Sequence, residues 1–127
     1  MRKKIGSSAI WEETIGYSRA VRVGNIIEVA GTTSIQDGEV VYSGDAFNQA
    51  RHIIKIIEHA LKQLDSGLDD VVRTRVYLKN VSDWEAVGRA HGEFFGKIRP
   101  ASSMIAVAAM IDPEMLVEIE AMAIITQ

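Results

Sequence analysis

The stretch Arg99–Ala121, RPASSMIAVAAMIDPEMLVEIEA, decides the fold. It divides into two strands, one from Ser103 to Met110 between Pro100 and Pro113, the other from Met115 to Ile125. Proline has no N–H to give a ladder, so it belongs at strand edges and turns. In the second segment Val117, Ile119 and Ala121 fall on one face, and Glu118, Glu120 and Met122 on the other. A period of two with one apolar side marks a strand with one buried face. The two carboxylates on its other side need a setting that holds them.

Working outward, Asp69–Lys79 is a further strand. Val72, Thr74, Val76 and Leu78 share one face, and Val71, Arg73, Arg75 and Tyr77 the other. Ahead of it Phe47, Ala50, Ile53, Ile54, Ile57, Ala60, Leu61 and Leu64 recur at helical spacing. They predict an amphipathic helix with Asp45 as N-cap and Gly67 as its stop. Ser82-Asp83-Trp84-Glu85 reads as a capping box for a second helix, with Trp84, Val87, His91, Phe94 and Phe95 on its apolar side and Gly96 at its end. Towards the N-terminus, residues 1–16 form a short strand or arm. Tyr17–Val23 and Ile26–Ala30 flank a Gly24-Asn25 turn, Gly31–Gly38 is a polar loop with a second turn at Asp37-Gly38, and Val40–Tyr42 is a short edge.

The predicted order is β-β-α-β-α-β-β, an α/β (α+β) mixed sheet of one layer. Two helices can cover only one of its faces. The other carries Arg73, Arg75, Glu118, Glu120 and Glu28 among Tyr77, Met104 and Met122. It is too apolar for open water and too charged for a core, which fits a subunit interface with paired charges in it. A homo-oligomer is expected.

A chain of 127 residues suggests a single domain spanning 1–127. Net charge is −3, which offers no field for a phosphate backbone, so no nucleic-acid partner is expected. Cysteine is absent, which excludes disulfides and thiolate chemistry. No apolar leader or span is visible, so a soluble cytoplasmic protein is expected, without a membrane partner. No metal-ligand spacing, phosphate loop or dinucleotide fingerprint appears, and neither metal nor cofactor is expected.

Several local patterns then combine: Ile15-Gly16-Tyr17, Gly24-Asn25, Gly31, Gln49-Ala50-Arg51, Val76-Tyr77-Leu78, Phe94-Phe95, and Pro100-Ala101 through Val117-Glu118-Ile119-Glu120-Ala121. With these the chain resembles the RidA/YjgF family, also called endoribonuclease L-PSP, over nearly its whole length. The resemblance implies a chorismate-mutase-like subunit in a barrel-like trimer, with small-molecule ligands in clefts between subunits. It also implies hydrolysis of reactive enamines and imines, such as 2-iminobutanoate and 2-iminopropanoate, to 2-oxo acids and ammonia.

Carried over by position, the water-orienting Glu falls on Glu118, the cleft-closing Tyr on Tyr17, and the main-chain ligand contact on Met104. The Arg that clamps the substrate carboxylate falls on Ser102. A guanidinium grips a carboxylate with two charge-assisted bonds, whereas serine offers one neutral donor. Losing such a grip in a closed site costs about 2–5 kcal/mol, or roughly two to three decades in affinity. Ala30 stands where a Ser is frequent, Gly88 stands where an Asn is frequent, and the loop before Pro100 is shorter. Together these mark a divergent subgroup with a ligand other than the usual imines. Arg75 (or Arg73) on the inward face could replace the missing grip, or else form an ion pair with Glu118 or Glu120. His91 could act as an acid or base near neutral pH, or simply pack. His52 and His59 belong to the solvated side of the first helix.

Ser102 and Ser103 lack any nucleophile motif, so Ser102 is a hydrogen-bond donor at most. The expected site is therefore Glu118 as the catalytic group, with Tyr17, Ser102, Met104, Arg75, His91 and Glu120 as ligand contacts. Whether the chain is an enzyme stays open at this point. The alternatives are a deaminase-type hydrolase of an imine or enamine and a non-catalytic binding or regulatory trimer, with ribonuclease or translation inhibitor behind both.

Overall fold

The computed structural model of the chain describes residues 1–7 and 9–126. Ser8, inside the expected N-terminal arm, lies outside them. Among the described residues eight strands form: β1 (Arg2–Ile5), β2 (Ala20–Val23), β3 (Ile26–Thr32), β4 (Ile35–Gln36), β5 (Glu39–Val40), β6 (Val71–Leu78), β7 (Ala101–Ala106) and β8 (Val117–Ile124). Two long helices, α1 (Ala46–Gln63) and α2 (Trp84–Phe95), accompany them, and a π-helical turn at Glu12–Gly16 follows β1. Six strands make one sheet in the order β1-β2-β3-β8-β6-β7, and β4 and β5 make a separate small hairpin. Neighbours in the large sheet are antiparallel except β6 and β7, which run parallel through the α2 crossover.

The core lies between the sheet and the helices. Ile53, Ile54, Ile57 and Leu61 of α1 are fully buried against Ile27, Val117 and Ile119. The expected α1 stripe and β8 alternation are both present, with Val117, Ile119, Ala121 and Ala123 buried and the residues between them half-buried. Asp45 caps α1, its Oδ1 accepting from the Asn48 N–H at 3.0 Å, and that bond holds its carboxyl below the ordinary value. Gln49 is wholly buried and links α1 to the start of β8. Its amide donates to the Glu114 carbonyl at 2.9 Å and its Oε1 accepts from Leu116 N–H at 2.9 Å.

Several expectations are corrected. Helix α1 turns off at Asp65, which takes the left-handed conformation (φ 63°), and not at Gly67. The expected capping box does not form: Asp83 is the N-cap of α2 and its side chain caps nothing. Trp84 stands 57% exposed and off the apolar side. The strand expected from Tyr17 begins at Ala20. The loop expected over Gly31–Gly38 contains most of the β4–β5 hairpin, whose turn uses positive φ at both Asp37 and Gly38. His52 is half-buried, with its Nδ1 3.2 Å from Ser34 Oγ.

Two further corrections concern the strands that carry candidate site residues. A register shift between Val71 and Arg73 exchanges the first two positions of β6, so Val71 is buried and Val72 exposed, while Thr74, Val76 and Leu78 keep the expected buried face. And β7 and β8 do not pair with each other, because β6 lies between them. In the β6–β7 register Thr74 meets Ser102 and Val76 meets Met104. Met104 therefore packs on the helix side of the sheet and not, as expected, on its open face.

Candidate functional site

The open face of the sheet gathers charge as expected. Across β6 and β8, Arg75 pairs with Glu120 and Tyr77 with Glu118; across β3 and β8, Glu28 pairs with Met122. Glu120 is already engaged. The Tyr77 hydroxyl donates to its Oε1 at 2.9 Å, and Arg75 Nη1 lies 3.8 Å from the same oxygen. Arg75 thus serves a structural pair within the chain.

Glu118 differs. β3 bulges between Val29 and Thr32, and Gly31 in the bulge faces the Glu118 carboxylate. A Cβ on Gly31 would stand 2.1 Å from Glu118 Oε2, so a side chain here would push this carboxylate out of the notch in which it rests. Burial raises the Glu118 pKa above its ordinary value of 4.5 and the Glu120 charge raises it further, while Arg19 opposes both. A carboxylate in this state is a better base than a solvated one.

Arg19, on the approach to β2, was not among the expected site residues. Its guanidinium lies 5.8 Å from the Tyr17 ring centre, and its Nη1 donates to Thr32 Oγ1 at 3.3 Å. The signal was present in the sequence: Tyr17 and Arg19 are two residues apart in an extended segment, which points both side chains the same way. Tyr17 borders three cavities, two of which reach the sheet residues of the site. A shallow groove of about 720 Å³ passes Glu28, Arg75 and Glu120, and a smaller cavity of about 170 Å³ is lined by Arg19, Gly31 and Thr32 among others.

Ser102 and His91 lie elsewhere. Thr74 is fully buried under α2. Its hydroxyl donates to Ser102 Oγ at 2.8 Å and lies 2.8 Å from His91 Nε2. One hydroxyl has one proton, so His91 donates through Nε2 and its Nδ1 stays an acceptor, an assignment made from the network. The His91 ring packs at 4.6 Å on Phe95, and burial pushes its pKa below 6.5. It is neutral at pH 7. The expected site residues therefore form two sets on opposite faces of one sheet: Tyr17, Arg75, Glu118 and Glu120 on the open face, and Ser102, Met104 and His91 along the β7 edge beneath α2. Among the described residues no group of three or more His, Asp or Glu has the geometry to hold a metal ion, and no helix is long and apolar enough to cross a membrane.

Fold and site together define an α+β protein with one helix-covered and one charged sheet face, the chorismate-mutase-like arrangement. A family model described as "Endoribonuclease L-PSP" matches residues 8–125, and the chain belongs to that family, the RidA/YjgF family. It is 46% identical to Rv2704 of Mycobacterium tuberculosis, a solved member of the YjgF/YER057c/UK114 family, at a TM-score of 0.90 over 98% of this chain and 100% of that one. The solved YjgF gene product of Escherichia coli is 27% identical at a TM-score of 0.85, covering 98% and 99% of the two chains. The protein named 3-aminoacrylate deaminase RutC from Acinetobacter baylyi is 32% identical over 108 residues, 84% of this chain and 85% of that one.

Proposed function

We propose that this chain forms a homotrimer that binds a small metabolite in clefts between subunits and hydrolyses a C=N bond there, as a deaminase of an imine or enamine. The observation that carries this reading is Glu118, a half-buried carboxylate held against Gly31, which lines the smaller cavity, and without an ion pair among the described residues. The split of the candidate residues supports the shared cleft. Ser102 and Glu118 sit on opposite faces of their own sheet and can act on one ligand only if a neighbouring copy brings its edge to this face.

In this mechanism the Glu118 carboxylate takes a proton from water as the water oxygen bonds to the imine carbon, and the C=N electron pair moves to nitrogen. The imine nitrogen enters protonated, so this step gives the neutral carbinolamine. Glu118 then returns its proton to that nitrogen, the C–N bond breaks with release of ammonia, and the hydroxyl gives its proton to the freed Glu118 carboxylate as the carbonyl forms. An enamine first takes a proton at carbon to reach the imine. Tyr17 closes over the ligand, and Ser102 and the Met104 main chain supply neutral contacts. Ser102 in the place of a guanidinium leaves no cation at that position of β7 to hold the carboxylate of a 2-imino acid there, so a substrate carboxylate must be held from another part of the cleft.

The test is direct. With 2-iminobutanoate and 3-aminoacrylate generated in situ, the protein should speed loss of the second above its spontaneous rate, and Glu118→Gln should lower that gain about 100-fold or more, the usual worth of a positioned base. Loss of both compounds at the spontaneous rate would leave the non-catalytic binding trimer as the surviving reading. The Ser102 substitution is the observation that favours that alternative.

A further inference from the structure

Most arginines on this sheet have work within the protein. Arg22 donates to the Gly24 and Leu64 carbonyls at 2.9 and 2.7 Å, and Arg75 pairs with Glu120. Arg73 donates to Ser103 Oγ at 3.1 Å and, like Arg19, has a buried Nε without a partner among the described residues, but it lines none of the cavities at Tyr17. Arg19 is held in place without being satisfied. Its backbone is fixed on both sides: its N–H donates to the Ile5 carbonyl and its carbonyl accepts from Ala30 N–H, each at 2.9 Å. Its guanidinium is half-enclosed, yet among the described residues its one side-chain bond is the long contact to Thr32. Its Nε is buried with no partner among the described residues, and it makes no ion pair among them. A guanidinium has five donors and is costly to enclose unpaired.

The cavity it lines also includes Gly31, over which Glu118 rests, and Tyr17. At about 170 Å³ the space suits a small metabolite, since an apolar cavity of roughly 150 Å³ takes a benzene-sized molecule. Arg19 is the sole cation among the lining residues and Asp37 the sole acid, so the cavity is not a general anion trap. It matches a compound with one anionic group.

We propose that Arg19 is the anion-binding residue of the Glu118 site, its guanidinium taking a carboxylate of a small monoanionic ligand in the role that Ser102 does not fill. The assignment rests on the placement of the ligand at Glu118 under the proposed function. It moves the anion grip from the β7 edge to the end of β3, where Gly31 faces the base and the cavity opens between the β4–β5 hairpin and α1. The ligand's reacting carbon then lies between Glu118 and the group that Arg19 holds. A planar fork in this position selects for carboxylate geometry as well as for charge.

The experiment uses the full-length protein and measures binding by ligand-observed NMR and calorimetry. The probe is 2-oxobutanoate, with its methyl ester as the neutral counterpart. The wild type should prefer the acid, Arg19→Gln should weaken the acid by about tenfold or more, and Arg19→Lys should fall between them. The ester should bind both forms alike, and Arg51→Gln, at a surface pair with Glu93, should change nothing. Equal binding of the acid to wild type and Arg19→Gln would overturn the assignment, as would equal binding of acid and ester to the wild type or no binding of either. If Arg19→Gln does not fold, Arg19→Lys decides: unchanged affinity for the acid overturns the proposal. Glu118→Gln separates the two ideas. Retained acid binding with unchanged turnover would defeat the hydrolytic reading while leaving Arg19 in its role.

Discussion

The two candidate regions of this molecule are built from opposite materials. On the open face a charged carboxylate rests in a notch where a side chain is missing, with an unsatisfied arginine nearby. At the β7 edge a serine, a buried threonine and a neutral histidine form a closed chain of hydrogen bonds. The first region holds polar groups with capacity to spare; the second has spent most of its capacity on itself. Excess capacity is what a ligand can use, so reactivity belongs to the open face, and the β7 edge is suited to shaping and closing a cleft.

That contrast can be broken most forcefully at glycine. Gly31→Ala places a methyl group against the Glu118 carboxylate, and should lower stability by about 1–3 kcal/mol, as overpacking does. It should also remove at least as much turnover as Glu118→Gln. Gly88→Ala in α2 meets open space and should stabilise by about 0.5–1 kcal/mol, the helix-propensity gain. Urea melts of the two variants side by side check the pair; equal effects would erase the notch.

Thr74→Val tests the second region. It keeps the shape but strands the buried His91 Nε2–H, and should cost about 1–3 kcal/mol in chemical denaturation. Anion binding at the open face should be untouched.

Acid–base behaviour sharpens the contrast further. Because the Glu118 pKa is raised in the folded state, the folded protein binds this proton more tightly than the unfolded chain. Stability from this group is therefore full below the ordinary carboxylate value of 4.5 and declines as pH rises through the elevated one. Glu118→Gln should accordingly be more stable than wild type at pH 7, with the difference vanishing in acid. The acid limb of any activity should shift down in Glu120→Gln and up in Arg19→Gln, since the first charge raises and the second lowers the Glu118 pKa. The smallest effect is expected at Arg75–Glu120. A double-mutant cycle there should give under about 1 kcal/mol, as for other exposed pairs.

How much of this was legible depends on whether the deciding contact is local. The α1 stripe and the β8 alternation follow from burial at fixed periods, and both are present in the fold. The pattern also located Glu118 and Glu120 correctly on a face without helices. It missed the β6 bulge because Val71 and Val72 are equally apolar, and only tertiary packing chooses which is buried. Nor does it show that β7 and β8, joined by a short connection that usually marks neighbours, are separated in the sheet. The insertion of β6 between them is a long-range pairing, and it carries Ser102 and Met104 to the helix side. Arg19 was overlooked because a cation in a strand ordinarily finds a partner. Its isolation exists only once Thr32, Gly31 and Tyr17 have been brought around it.

The position of β8 has a kinetic consequence. This strand follows every other element in the chain yet lies in the middle of the large sheet, so Ile26 finds Ile124 from nearly a hundred positions away. Closing such loops must precede the contacts that reward it, which slows folding and leaves few stable halfway forms. Until β8 enters, β3 and β6 have no shared neighbour and the Gly31 notch has nothing to receive. Assembly of the barrier-crossing nucleus and assembly of the site then become one event. Refolding followed by intrinsic fluorescence and by recovery of anion binding should therefore proceed at one rate.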